Sequence, residues 1–268
     1  MGVDTKKLRN RIKSVDSTLH LTTAMGLVAS SKIRRAMDAM FKSREYSAAI
    51  EKVVQNLSGS RECEKSPYMA QQNNDGKICI IVIAGDRGLA GGYNSNVFRL
   101  AKQYPDAEFI AVGKRACDVY GGSFNAERFS FEQASALSKE LCSRFAEGEF
   151  SRIGIISTEY ISMMSQECRI SWILPLSKNE EKSDLTGIIF EPDELSVLNT
   201  AVPLYVAGTI VAHVRESFAS EVAARRCAMD SAGKNAKQMI DDLQLKYNRA
   251  RQSAITQEIT EIVAGSGM

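Results

Sequence analysis

The chain has 268 residues, is 44% hydrophobic and 25% charged, and carries a net charge of +2 at pH 7. That length allows one large or two modest domains with a full core, and no stretch approaches the roughly 18 consecutive apolar residues of a membrane-spanning helix. Six scattered cysteines (Cys63, Cys79, Cys117, Cys142, Cys168 and Cys227) show no C-x-x-C spacing and stand beside only two histidines, which suits reduced thiols and speaks against zinc.

Along the chain, residues 8–57 carry apolar or small residues at alternating steps of four and three: Leu8, Ile12, Val15, Leu19, Thr22, Gly26, Ala29, Ile33, Ala36, Met40, Ser43, Ser47, Ile50, Val54 and Leu57. A 3.5-residue period held so long predicts one continuous helix with a seam for another helix. At 1.5 Å per residue it would be roughly 80 Å long. Residues 1–57 hold eleven Lys/Arg against five Asp/Glu, so this helix is basic. The arm ends near Ser58-Gly59-Ser60, and polar residues 60–77, with Pro67, Asn73, Asn74 and Gly76, read as a mobile linker. Residues 78–84 form an uninterrupted apolar run, the pattern of a strand buried on both faces.

After a glycine-rich turn, helices are predicted near 96–103, 115–120 and 131–147, and strands at 108–112, 152–157 and 166–174. Strands alternating with helices predict an α/β layer with a mostly parallel sheet. Residues 177–200 bridge to a second proline-free stretch from Leu204 to Val263. Its stripe comprises Phe218, Val222, Met229, Ala232, Ala236, Met239, Leu243, Ala250, Ile255, Ile259 and Ile262. The expected architecture is therefore α/β: a long antiparallel coiled coil of the N- and C-terminal helices plus a Rossmann-like α/β foot. The boundaries are 1–58 for the first arm, 75–200 for the foot and 204–268 for the second arm.

The sharpest local motif is Ala84-Gly85-Asp86-Arg87-Gly88-Leu89-Ala90-Gly91-Gly92-Tyr93-Asn94. A glycine turn after the first strand of an α/β domain often cradles phosphate. Here no Gly-Lys-Ser/Thr ending follows, and the glycines do not fit G-x-G-x-x-G. The favoured reading is a tight turn with positive φ that displays Asp86 and Arg87 outward. His20 and His213 read as exposed helix residues, Trp172 as packing, and Asp241, Asp242, Glu258 and Glu261 as mostly solvated acids. No alternation of basic and aromatic residues suggests single-stranded nucleic acid. No catalytic constellation, cofactor site or metal site emerges. The seam is unusual: Thr22, Gly26, Ala29 and Ala36 bury little area, and a mid-helix glycine costs about 1 kcal/mol against alanine. A slim shaft in an external bearing fits that choice better than a self-associating coil.

Four blocks then resemble the gamma subunit of rotary ATP synthases. They are Leu8–Val15 with Leu21–Met25 running to Val28-Ala29, Gly85–Asn94, Glu216–Met229, and Tyr247-Asn248-Arg249-Ala250-Arg251-Gln252 continuing to Ile262. The resemblance covers essentially the whole chain. It implies a non-catalytic central-stalk rotor of a proton- or sodium-translocating ATP synthase. The hairpin would stand inside three alpha and three beta subunits, and the α/β foot on the membrane c-ring beside epsilon. It implies no cofactor, no nucleic-acid partner, and membrane association only through the complex.

By the same resemblance, Arg251 and Gln252 face a beta loop, with Met25, Thr256 and Glu258 nearby. Asp86, Arg87, Gly88, Leu89 and Ala90 face the lever region of beta. If Met25 lies opposite about Thr256, paired positions sum to roughly 281, putting Leu19 near Ile262, Thr22 near Ile259 and Leu57 opposite Ala224. Residues 204–223 would then be free to pack on the foot. The family's usual lysines around the Ala-Met pair are replaced by Thr23 and Gly26, and the loop's usual cysteine by Ala90. The cysteine-bearing insertion of chloroplast relatives is missing. The N-terminus enters the heptads without a signal-peptide segment, so a bacterial protein on the cytoplasmic side of the plasma membrane is expected, ahead of a mature organellar form. Two other readings stand beside the rotor: a self-associating coiled-coil adaptor, and an α/β enzyme that binds nucleotide or another small ligand.

Overall fold

A computed structural model describes residues 2–69, 76–178 and 190–266. The elements in order are α1 (Gly2–Ser58), a 3-10 turn (Cys63–Lys65), β1 (Lys77–Ile83), α2 (Tyr93–Ala101), β2 (Glu108–Val112), α3 (Lys114–Tyr120), α4 (Phe131–Ala146), β3 (Phe150–Tyr160), β4 (Gln166–Leu174) and α5 (Glu194–Gly265). They group into two compact units: residues 1–30 with 225–268, and residues 31–224.

The larger unit is built on a four-stranded sheet of order β2-β1-β3-β4. β1 pairs parallel with β2 and with β3, while β4 runs antiparallel to β3. β1 is central, so Cys79, Ile80, Ile81, Val82 and Ile83 are all buried, as an uninterrupted apolar run requires. One face of the sheet meets Leu57, Leu137, Leu141, Leu198, Val202, Val206 and Ile210. The other meets Val97 and Ala101 of α2 and Ala116 of α3. α4 starts on a capping box in which Ser130 and Gln133 satisfy each other's backbone N–H.

The linker expectation at 60–77 needs correction over its described part. Cys63, Ser66, Tyr68 and Met69 are buried, Ser66 Oγ donates to Asn199 at 2.7 Å, and Leu176 N–H donates to the Tyr68 carbonyl at 2.8 Å. Asn73 and Asn74 lie outside the described residues, as do 179–189 of the bridge. The second long helix begins at Glu194, ten residues ahead of the expected Leu204, with Pro203 inside it. Asp193 starts this helix: its carboxylate accepts the Ser196 N–H and hydroxyl, each at 2.8 Å, and these bonds hold its pKa below the usual carboxylate range. Pro203 has no N–H to bond back along the helix, and its own carbonyl accepts from Ser138 at 2.5 Å. α5 contains an apolar window long enough to cross a membrane by length and composition. Leu198, Val202, Val206, Ala207, Ile210 and Val214 belong to the α/β core instead.

Every seam position expected on α1 is buried or half-buried. Within the larger unit Gly208 of α5 abuts Tyr46 and Ile50, Arg44 pairs with Glu216 at 2.5 Å, and Met40 and Ala36 pack with Ala219. Leu57 therefore lies in the cluster of Leu198 and Ala201, not opposite Ala224. Residues 204–223 also are not free to pack on the sheet alone, because they are shared with α1.

Within the smaller unit the two helical segments again run antiparallel. A Cβ on Gly26 would stand 3.6 Å from Met229, and one on Gly233 would stand 3.8 Å from both Leu19 and Thr22. These pairs sum to about 255, which overturns the sum of 281. Leu19 and Thr22 meet Gly233 rather than Ile262 and Ile259, and Met25 is not opposite Thr256. The physical reason is complementarity of size. Each glycine of one helix receives a larger side chain of the other, which lets the backbones approach closely.

Candidate partner-contact surfaces

The glycine turn leaves the end of β1 and is held from beneath. Ala84 N–H donates to the Val112 carbonyl at 3.0 Å, and Arg115 N–H donates to the Gly85 carbonyl at 3.0 Å. Gly85 N–H donates to Asn94 Oδ1 at 2.9 Å, and Asn94 Nδ2 returns to the Arg87 carbonyl at 3.3 Å, closing the turn on itself. A side chain at Gly85 would meet the buried Glu221 carboxylate at 2.7 Å. Tyr93 donates its hydroxyl to the Ser217 carbonyl at 2.9 Å, and burial, with Glu221 near, pushes that phenol far above its ordinary pKa.

The turn has the expected positive φ, at Leu89 (62°) and Gly91 (60°). The expectation for Asp86 was wrong. It faces inward and accepts three backbone N–H groups: Lys114 and Ala126 on Oδ1 at 3.0 Å each, and Glu127 on Oδ2 at 2.8 Å. A carboxylate is acceptor-only, so a loop segment with unmet N–H groups captures it in preference to water. Arg87 is exposed, Gly88 is half-buried, Ala90 is buried, and Leu89 is 63% exposed. A bulky side chain in the left-handed region costs free energy unless its surroundings enforce it. Here the anchored flanks do so, and the result is a rigid knuckle led by an apolar side chain.

The other surface is the end of α5. From Arg251 to Ser266 every side chain is exposed except the half-buried Ala254. With pairs summing to about 255, α1, which starts at Gly2, is used up near Ser253, and α5 continues beyond it. The stripe pattern persists here although nothing among the described residues covers it: Ile255, Ile259, Ile262 and Val263 are exposed, the last two by 70% and 63%. Arg251, Gln252, Thr256 and Glu258 lie together on this free segment. Met25 does not join them. It is half-buried on the paired segment, beside the Gly26–Met229 contact. A groove of about 390 Å³ opens there, floored by Thr22, Gly26, Met229 and Gly233 and edged by Arg226 and Lys237.

His213 was expected to be exposed and is not. It is half-buried, with Nδ1 2.8 Å from Ser157 Oγ of β3. Burial pushes its pKa below the ordinary 6.5, while Glu216 pulls it up and Arg44 pushes it down. No sequence pattern joins residues 157 and 213; only the packing of α5 on β3 does. Trp172 packs as expected, with the Arg152 guanidinium 3.9 Å above its ring and Tyr104 edge-on. All six cysteines are free thiols, and burial raises Cys79 to about 12 and Cys63, Cys142 and Cys168 to about 11. Among the described residues no His/Cys/Asp/Glu group is arranged to hold a metal.

The larger unit is thus an α/β layer that carries an anchored apolar knuckle, and the smaller unit is a pair of antiparallel helical segments with an exposed apolar stripe at the end of α5. A family model described as ATP synthase matches residues 4–267. The chain is 38% identical to the ATP synthase gamma chain of Ruminococcus albus and 37% identical to that of Moorella thermoacetica, each over 97% of both chains. It belongs to the ATP synthase gamma-chain family.

The fold agrees with two solved structures. A chain of the Euglena gracilis mitochondrial ATP synthase, in its OSCP/F1/c-ring assembly, matches with a TM-score of 0.69 at 17% identity, over 99% of this chain and 94% of that one. A chain of the Tetrahymena thermophila mitochondrial ATP synthase central stalk and c-ring matches with a TM-score of 0.61 at 21% identity, over 79% and 99%.

Proposed function

We propose that this chain is the central-stalk rotor of a proton- or sodium-translocating ATP synthase. It couples turning of the membrane c-ring to ATP synthesis or hydrolysis at beta-subunit sites and performs no catalysis itself. Three alpha and three beta subunits surround the coil, while the α/β unit meets epsilon and the c-ring. The chain thus lies on the cytoplasmic side of a bacterial plasma membrane, held there through the complex. One observation carries this reading: from Arg251 to Gly265 α5 is exposed except at the half-buried Ala254, with an apolar stripe that nothing among the described residues covers. An uncovered stripe of that kind calls for a partner that encloses it. Arg251, Gln252, Thr256 and Glu258 supply polar contacts on that segment, and Arg87 and Leu89 present the knuckle lower down the chain's course. Family membership supports alpha and beta subunits and the c-ring as those partners.

Affinity purification of the tagged chain should recover alpha and beta subunits at three copies each. Recovery of a homodimer alone would favour the coiled-coil adaptor. Saturable ATP binding by the isolated chain, lost on substituting Gly91 with a bulky residue, would favour the α/β enzyme.

A further inference from the structure

Glu127, in the loop between α3 and α4, meets three elements at once. Its backbone N–H donates to Asp86 Oδ2 of the glycine turn at 2.8 Å, its carboxylate accepts from Lys32 Nζ of α1 at 2.5 Å, and its carbonyl accepts from Arg215 of α5 at 3.5 Å. Arg215 also donates to the Phe129 carbonyl at 2.9 Å. The loop itself is firmly seated. Phe129 is fully buried edge-on against Phe124, Ala126 is buried with its N–H on Asp86, and Gly113 N–H donates to the Phe124 carbonyl at 3.0 Å. Residues 124–129 are therefore gripped by the turn through Asp86, by α1 through Lys32 and by α5 through Arg215.

An isolated half-exposed ion pair adds little to stability. Its place matters more than its strength here. Tyr93, which follows the turn, is tied to α5 through its hydrogen bond to the Ser217 carbonyl, and Gly85 lies close enough to Glu221 of α5 to leave no room for a side chain. Lys32–Glu127 adds a tie from the loop beneath the turn to α1, so that the turn is linked to both helices and not to α5 alone.

We propose that Glu127 is a positioning residue. The relay Asp86–Glu127–Lys32 fixes the angular setting of the glycine turn about α1 and α5, so that knuckle and helices move as one body against a partner. The proposal rests on the rotor reading for its purpose, and on the geometry alone for its existence. Glu127→Gln keeps both backbone bonds and the side-chain size but removes the charge that Lys32 meets. Lys32→Gln does the same from the other end, and exchanging the two charges (Lys32→Glu with Glu127→Lys) rebuilds the pair.

Two measurements separate the relay from the rotor reading. In the full chain, spin labels on non-natural residues at Arg87 and Asp38 leave the native thiols untouched and report the spread of turn-to-α1 distances. The spread should widen about twofold in each single variant and narrow again in the exchange, because only a pairwise contact is rescued by swapping its charges. In reconstituted vesicles the ratio of ATP synthesis to hydrolysis should fall about threefold in each single variant and recover in the exchange. An unchanged label spread overturns the relay, whatever the vesicles report. A widened spread with an unchanged ratio overturns its role in coupling. Failure of the unaltered chain to assemble with alpha and beta overturns the rotor reading, while the label distances still judge the relay.

Discussion

Gly113 joins the end of β2 to α3 with φ at +95°, and a Cβ there would stand 1.9 Å from the Ala84 carbonyl oxygen. Both the backbone conformation and the space exclude a side chain, so Gly113→Ala should cost about 3 kcal/mol or more. Trp172, the chain's single tryptophan, lies in β4 of the same unit and reports its unfolding. A urea midpoint shifted by less than that of a conservative surface control would show that the loop relaxes freely. His213 offers a pH prediction with a definite sign. Burial lowers its folded pKa below 6.5, against Glu216 and with Arg44. The unfolded chain therefore binds a proton near pH 6.5 that the folded chain refuses. Stability from this group is complete above that pH and is lost as pH falls below it, by at most about 1.4 kcal/mol per pH unit. His213→Asn keeps a polar partner for Ser157 and cannot titrate. Between pH 7.5 and 5.5 the urea midpoint of the variant should fall less than that of the parent, and parallel falls would remove His213 as the cause. The sequence did not mark Gly113, and it marked His213 only as an exposed helix residue. A lone glycine and a lone histidine have no pattern; their constraints come from Ala84 and Ser157, far off in the chain.

Elements whose information is local were legible. The 3.5-residue period located α1 and its buried face, and the apolar run at 78–84 located the central strand, because each depends on neighbours a few residues away. The start of α5 was missed because Pro203 read as a boundary, whereas the buried Val202 and Val206 on either side hold the helix through it. The pairing register was missed for a different reason: a regular seam is satisfied by many registers, and only the placement of small against large residues selects one. That selection predicts the effect of filling the seam. Gly26 lies mid-helix with a Cβ position at ordinary contact distance from Met229, and Gly233 has similar room beside Leu19 and Thr22. Gly26→Ala removes the helix penalty of glycine without a clash, so it should stabilise the coil by up to about 1 kcal/mol. The thermal transition of the helical circular dichroism signal should rise. A fall would mean that the helices must approach more closely than these contacts indicate.

Across the whole molecule, a surface shared with one partner does not require its residues to touch each other. The resemblance placed Met25 and Arg251 in one neighbourhood, whereas Met25 lies beside the Gly26–Met229 contact and Arg251 lies 22 positions further along α5, roughly 33 Å at 1.5 Å per residue. At that separation the two side chains are far out of each other's reach. In the isolated protein, Met25→Lys and Arg251→Gln should therefore change stability additively, within about 0.5 kcal/mol. Inside the complex the expectation differs. Methionine is apolar and adaptable, so it can pass changing partners without a fixed electrostatic preference, whereas a lysine at a partly desolvated contact favours some rotor angles over others. Met25→Lys should keep assembly and ATP hydrolysis while lowering synthesis, and Arg251→Gln should partly restore it. Additive stability in the free chain together with non-additive coupling in vesicles would place the communication between these residues in the surrounding subunits. Coupled stabilities in the free chain would mean that the pairing of α1 with α5 differs from the Gly26–Met229 register. An unchanged synthesis-to-hydrolysis ratio for Met25→Lys would take Met25 out of the rotor–stator contact altogether.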